Sequence, residues 1–480
     1  MNSTKNKSAF AKASVDKPIV ILGGGPTGLA AAYRLVQKGE QVIILEKEKY
    51  HGGLSATLKS KDFLYEFGPH AFHLKNPVIT SWLEDLIKKD FRIIPTDTQV
   101  LINGDYYNYP LRASELIRKI NPILGIRIIF GYLLAYFKNI FKKGEYLNFE
   151  DWGLSNFGKT LYKISFGDYT EKVWGISPKK LSGKLASQKL SRLNLGDLII
   201  KLIGFKGQDQ PTYFKKYLYP ESGMKVILDK IVSKIKPKGQ IIYNAQVTKI
   251  KNDENSIREV EYRQDNNLKK IRPSFIISTL TLKDLVGLVN HPVAKNTRLA
   301  GEKLAYRDMI IVYMVSSQKN LPKSQWIYLV ENKFKFNRVT FGRNLSPNFA
   351  PKNLNVLALE ICCKKGDQIW QKSDKELTQM AIEDLLKLGF DKTKILHTFA
   401  KRIDNAYPIY LQDFEKNLDE VFGQLSQIDN LLSTGRNGFF LNSDIHDCFL
   451  MGFEAADAIF EKKLLNKNWY KKAEEKWLNL

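Results

Sequence analysis

A short apolar run, Pro18-Ile19-Val20-Ile21-Leu22, leads directly into Gly23-Gly24-Gly25-Pro26-Thr27-Gly28. No other part of the chain limits the fold as strongly. The run has the character of a strand buried in a parallel sheet. Leu29 to Gln37 then reads as a helix rich in alanine and leucine, and a second apolar run, Gln41 to Leu45, ends in Glu46. In the spacing Gly23-x-Gly25-x-x-Gly28, Gly23 permits a tight turn and Gly25 lets the backbone approach a pyrophosphate. Gly28 allows the helix to pack close to the strand. Pro26 and Thr27 lie inside the loop and count with its binding residues. The helix N-terminus adds free N–H groups and dipole charge suited to phosphates. Glu46, eighteen residues after Gly28, is placed to accept hydrogen bonds from adenosine ribose hydroxyls. An acid there disfavours a ribose phosphate, and so NADP. Strand, glycine loop, helix and acid together predict a bound dinucleotide.

The residues just after the acid favour FAD over NAD. Lys47-Glu48-Lys49-Tyr50-His51-Gly52-Gly53-Leu54-Ser55 brings a second glycine pair close to the ribose site. Such a pair suggests another backbone approach to an extended cofactor, with Lys47, Gly52, Gly53 and Leu54 as candidate contacts. A surface turn is the alternative reading of this stretch.

The length of 480 residues allows two or three folding units. The net charge of +24 calls for an acidic partner, such as a phosphorylated substrate or an anionic membrane surface, or reflects compositional bias alone. No zinc-finger or RNA-binding signature accompanies the lysines, so a nucleic-acid partner is not expected. Cys362, Cys363 and Cys448 form no disulfide framework and no zinc spacing, which suits a reducing, cytoplasmic setting. No metal site is expected. Residues 1–17 read as a disordered tail. Pro122 to Phe141 is apolar and aromatic but carries Arg127 and Lys138, with Arg112, Arg118 and Lys119 before it and Lys142 and Lys143 after it. Two internal charges argue against a bilayer span. Two readings remain for the 112–143 region: a pair of core helices, or peripheral contact with the inner face of a membrane.

Further motifs carry a resemblance. Tyr65-Glu66-Phe67-Gly68-Pro69-His70-Ala71-Phe72-His73, Tyr169-Thr170-Glu171-Lys172-Val173-Trp174-Gly175 and Tyr219-Pro220-Glu221-Ser222-Gly223-Met224 stand in order along the chain. Ile276-Ile277-Ser278-Thr279 and Leu431-Leu432-Ser433-Thr434-Gly435-Arg436 come next, with a helix expected from Cys448 to Lys462. These elements resemble the FAD-dependent amine oxidase-like flavoproteins. They are most similar to the protoporphyrinogen oxidase-like branch, and share motifs with UDP-galactopyranose mutase. The resemblance implies an α/β fold: a discontinuous Rossmann-type FAD-binding domain beside a substrate domain of mixed sheet and helices. Residues 18–95, 215–285 and 400–465 would form the first, and 96–214 and 286–399 the second. Strands are expected at Met309–Val315, Trp326–Val330, Arg338–Phe341 and Val356–Ile361, with a helix from Asp374 to Leu388. Val247, Gly435, Arg436 and Asp444 join the candidate FAD contacts. The C-terminal helix would turn its N-terminus toward the flavin.

The resemblance implies an FAD-dependent oxidoreductase that takes a hydride equivalent from a small organic substrate. His70 and His73 are its candidate catalytic residues, since imidazoles suit proton transfer near neutral pH. Tyr169, Trp174, Arg343, Tyr407 and Tyr410 are candidate substrate contacts. The substrate would be porphyrin-like or a nucleotide sugar. Mutases place an arginine and a tyrosine just after the C-terminal Gly-Arg to hold a diphosphate. Here Leu441 and Asn442 occupy that stretch, and His446 stands where an acid is usual. The mutase reaction is therefore the second reading, and a non-catalytic flavin-binding protein the third.

Overall fold

The computed structural model describes residues 17–73, 76–109, 115, 119–140, 146–185, 216–253, 255–289, 295–461 and 467–478. The tail expected before residue 17 and the basic positions Arg112, Arg118, Lys142 and Lys143 lie outside them.

The apolar run after Lys17 forms β1 (Ile19–Leu22), whose four residues are all buried. It lies at the middle of a five-stranded sheet with β2 (Val42–Leu45), β3 (Gly239–Ile242), β4 (Phe275–Ser278) and β5 (Leu431–Ser433). The spatial order is β3-β2-β1-β4-β5, and every pairing is parallel. Layers cover both faces of such a sheet, which is why these strands are almost continuously apolar. Three separate stretches of sequence thus meet in one sheet. Helix α1 (Pro26–Gln37) leaves β1 with proline in its first turn, where no N–H is needed.

A second, seven-stranded sheet carries the other side of the molecule. Its order is 395–408, 306–316, 355–363, 338–341, 326–329, 98–102 and 105–108. Only the contact between 98–102 and 326–329 is parallel. The four strands expected here appear as Tyr306–Ser316, Trp326–Leu329, Arg338–Phe341 and Asn355–Cys363. The expected helix runs Asp374–Lys387, opened by a capping box between Ser373 and Glu376. The division expected at residue 400 falls inside the strand Ile395–Pro408, which pairs along Tyr306–Ser316. It is an edge strand, and its solvated positions carry Lys401, Arg402 and Asp404, so its sequence looks less like a strand than its neighbours.

Within the 112–143 region, Pro122–Ile140 forms a single helix, α2. One side packs on α3 (Phe149–Tyr162), with Ile128 and Ala135 buried. The approach is close because α3 breaks at Gly158, where φ is +72°. A Cβ there would lie 2.3 Å from the Gly131 carbonyl oxygen. The other side of α2 faces outward. Among the described residues no helix is long and apolar enough to cross a membrane.

The last long helix, α4 (Ile445–Glu461), lies against α1. Their contact runs through Gly452, where a Cβ would meet the Thr27 carbonyl oxygen at 2.3 Å and the Ala30 Cβ at 2.8 Å. The C-terminal segment is thereby fixed against the glycine loop. Gly452→Val should lower the unfolding free energy in urea by about 1–3 kcal/mol, since backbone must move to admit the side chain. An unchanged midpoint and slope would show that the helices can separate freely.

Candidate functional site

The C-terminal ends of β1, β2 and β4 open onto one cavity of about 860 Å³. That lies within the range of about 300–1,000 Å³ common for cofactor and ligand sites, and at the sheet edge where open α/β folds bind ligands. Gly23 forms its floor at φ +102°, with a would-be Cβ only 2.3 Å from the Thr279 hydroxyl. Gly28 faces inward instead: its Cβ would stand 2.0 Å from the Gly23 carbonyl oxygen. Gly25 differs from both. It lines the cavity in an extended conformation, and a Cβ on it would meet nothing within 4 Å. The open direction at Gly25 leaves room for a ligand group against the backbone at the start of α1. Pro26 and Thr27 line the same wall.

Glu46 stands at the end of β2, buried, with one carboxylate oxygen accepting the Gly24 N–H (2.7 Å) and the other that of Glu48 (2.8 Å). Burial raises its pKa, while those backbone bonds oppose the shift. Lys47, Gly53, Leu54 and Val247 complete this end of the cavity. Gly52 lies behind it, donating its N–H to the Gly24 carbonyl oxygen at 2.8 Å and so tying the second glycine loop to the first. At the far end Arg436 lines the wall. Its guanidinium donates to the carbonyl oxygens of Ser443 (2.8 Å) and Ala406 (3.0 Å). Gly435 packs on the Thr27 side chain behind the wall. Asp444 sits at the entry to α4, where its carbonyl oxygen accepts the Cys448 N–H. Thr279, Arg298, Arg402 and Asn405 also line the cavity and had no sequence signal of their own, except that Thr279 ends a recognisable strand.

Beyond Arg436 lies a buried polar cluster. Arg338 makes a two-pronged bond with Glu360, at 2.9 and 2.6 Å, from directly opposite positions on adjacent strands. The Arg338 charge sits 5.8 Å from the Tyr328 ring, and Arg436 sits 5.4 Å from the Tyr407 ring. Tyr169 packs on Tyr328, and Trp174 on Tyr407. The structure therefore brings Tyr169, Trp174 and Tyr407 together around a pair that sequence reasoning missed. Arg343 and Tyr410 are elsewhere. The Arg343 side chain reaches the Pro351 and Leu354 carbonyls, and Tyr410 is a core residue stacked 4.5 Å from Phe414. His73 lies on a two-residue strand, with its ring against Tyr217.

His70 lies within the influence of Arg436 and Arg338. Burial, reinforced by the charges of Arg436 and Arg338, lowers its pKa to about 4, so the ring is neutral at pH 7. Its Nδ1 is buried and has no hydrogen-bond partner among the described residues. The loop bearing it is anchored by Glu66, which accepts from Thr57 Oγ1 (2.5 Å), Tyr219 OH (2.7 Å) and Met224 N–H (2.7 Å). Burial raises the Glu66 pKa to about 7 despite those donors.

Parallel sheet, glycine loop, acid and C-terminal clasp around one cavity define a dinucleotide-binding flavoprotein. The chain belongs to the flavin containing amine oxidoreductase family, whose pattern matches residues 26–460. By family it is an FAD-dependent oxidoreductase, and the open cradle at Gly25 with the acid at Glu46 suits that cofactor. It is 23 % identical to protoporphyrinogen oxidase 1 of Arabidopsis thaliana chloroplasts, a match taking in 88 % of this chain and 83 % of that one. It is 26 % identical to the probable UDP-galactopyranose mutase of Klebsiella pneumoniae across 38 % of this chain. That match spans about half of the mutase's own length, 47 %. The structure of a reduced UDP-galactopyranose mutase superposes with a TM-score of 0.80 at 19 % identity, covering 95 % of this chain and 96 % of that one.

Two measurements test this geometry. Gly25→Val should leave the cofactor-free chain within about 0.5 kcal/mol of wild-type stability, because its extended backbone and open surroundings accept a side chain. FAD affinity should fall at least about ten-fold, or about 1.4 kcal/mol; undiminished affinity would remove Gly25 from the cofactor approach. Glu66 gives a pH signature. Its folded pKa lies above the ordinary value of 4.5, so its contribution to stability is present below about pH 4.5 and lost as pH rises through about 7. Over that window wild type should lose up to about 3 kcal/mol relative to Glu66→Gln. Parallel pH profiles for the two proteins would contradict the assignment.

Proposed function

We propose that the chain dehydrogenates a small, largely apolar organic molecule, porphyrin-like in preference to a nucleotide sugar. The observation carrying this reading is the buried cluster beyond Arg436: Tyr169, Tyr328, Tyr407 and Trp174 gather around an arginine already neutralised by Glu360. A paired Arg338 has little left to offer a diphosphate, and the aromatic faces suit the flat pyrrole rings of a porphyrinogen-like substrate. Leu441 and Asn442 support the same choice. Leu441 is buried, and Asn442 Nδ2 donates to the Pro408 carbonyl oxygen at 3.2 Å, so neither supplies a charged clamp.

When bound, FAD supplies a two-electron acceptor. The tyrosines and Trp174 would hold the substrate and exclude water. His70, neutral and with Nδ1 unengaged, would accept a hydrogen bond or the proton released during dehydrogenation. Arg436 would fix the cofactor end of the cluster through its two carbonyl contacts. His73, packed on Tyr217, would brace the same loop.

Anaerobic mixing of the FAD-loaded protein with protoporphyrinogen should discharge the flavin absorbance near about 450 nm without added reductant. His70→Asn should retain FAD yet slow that discharge about 100-fold. Conversion of UDP-galactopyranose only after dithionite reduction, with no discharge by porphyrinogen, would overturn the proposal in favour of the mutase reading. Inertness toward both would favour a non-catalytic role.

A further inference from the structure

Helix α2 has two apolar faces, and among the described residues only one has a partner. Ile123, Ile126, Phe130, Leu134 and Phe137 recur at spacings of three, four, four and three residues, which puts them in one stripe along the helix. Each is between 48 % and 68 % exposed. The opposite side, through Ile128 and Ala135, is packed on α3, and the close contact of Gly158 with Gly131 holds the helix down. The outer stripe therefore cannot be turned inward by a roll of the helix without opening that contact. Arg127 and Lys138 are both exposed and, eleven residues apart, lie along the same edge of the stripe.

We propose that α2 is a docking surface for a bilayer containing anionic phospholipid, lying in the interface with its stripe among the acyl chains and its basic edge at the headgroups. The length and charges of α2 match an interfacial helix, since no described helix is long and apolar enough to span. Charge selects the occupant. The whole chain carries a net +24, so a second copy seated on this face would bring two basic edges and two positive bodies together. An anionic surface attracts the same charges. The stripe is also convex, the outer side of a helix, and a bilayer can receive it without offering a matching groove. The proposal is independent of the substrate reading.

The test uses the full-length, FAD-loaded protein and co-sedimentation with large unilamellar vesicles. Vesicles of phosphatidylglycerol mixed with phosphatidylcholine should retain the protein, and pure phosphatidylcholine should retain far less. Binding should weaken as salt is raised. The double variant F130S/F137S changes only exposed positions, and its retained flavin absorbance reports correct folding. It should bind the anionic vesicles at least about ten-fold less tightly. R127E/K138E should lose the preference for anionic lipid while keeping the same flavin spectrum. The proposal fails if wild type ignores both vesicle types. It also fails if F130S/F137S binds as wild type does, which would assign the attraction to scattered lysines. Light scattering that shows a dimer abolished by F130S/F137S, without lipid binding, would give the face to a second copy instead.

Discussion

A Cβ at Gly28 would lie 2.0 Å from the Gly23 carbonyl oxygen, and one at Gly452 would lie 2.3 Å from that of Thr27. These two close approaches involve the same short turn. The first lets α1 leave β1 at an angle that aims its N-terminus into the cavity. The second seats α4 on the outer side of α1, so the chain's C-terminal part returns to the loop formed near its start. Glycine at both places gives up side-chain packing, and the gain is geometric. Backbone N–H groups, an open face at Gly25 and the far wall at Arg436 come to border one volume. Had either contact been held apart by a side chain, the cavity would lose its roof or its floor.

The seven-stranded side of the molecule is organised by buried charge in a comparable way. Lys172 donates to the carbonyl oxygens of Leu329 and Phe336, each at 2.8 Å, and burial lowers its pKa to about 8. Arg307 donates to the carbonyl oxygens of Val173 and Cys362. Both cations fasten the short helix Asp168–Trp174 to the seven-stranded sheet. This helix carries Tyr169 against Tyr328 and Trp174 against Tyr407. A buried ammonium satisfied by carbonyls is costly to desolvate, but its geometry is specific. Lys172 thus explains why its stretch of sequence reads as a motif although the lysine itself does not line the cavity.

The legible parts of the fold were those in which one residue type has one physical use. Glycines that cannot bear a Cβ, a carboxylate at a strand end and uniformly apolar strands all announce themselves without knowledge of the partner. Arg338 did not. Its significance comes from Glu360, twenty-two positions away and directly opposite on the next strand, and pairing register is not written in either residue alone. Arg343 looked comparable in sequence, yet it lies beyond the strand's end at Phe341. Its side chain turns back on local carbonyls instead of facing Glu360. The strand Ile395–Pro408 was obscured for a related reason: as an edge it needs polar residues on its solvated face, and these resemble a loop.

Helix α2 shows a different limit. Helical periodicity reports that apolar residues lie on a face, but two apolar faces on one helix satisfy the period equally well. A sequence reading can therefore count the apolar positions without deciding which are inside. The decision comes from Gly158, outside the helix, whose missing side chain admits the Gly131 backbone and commits that side of α2 to α3. Once that contact is made, Ile123, Ile126 and Phe130 have nowhere to go but outward. The exposed stripe is then a consequence of the packing beneath it, and the basic residues along its edge determine what such a surface can meet.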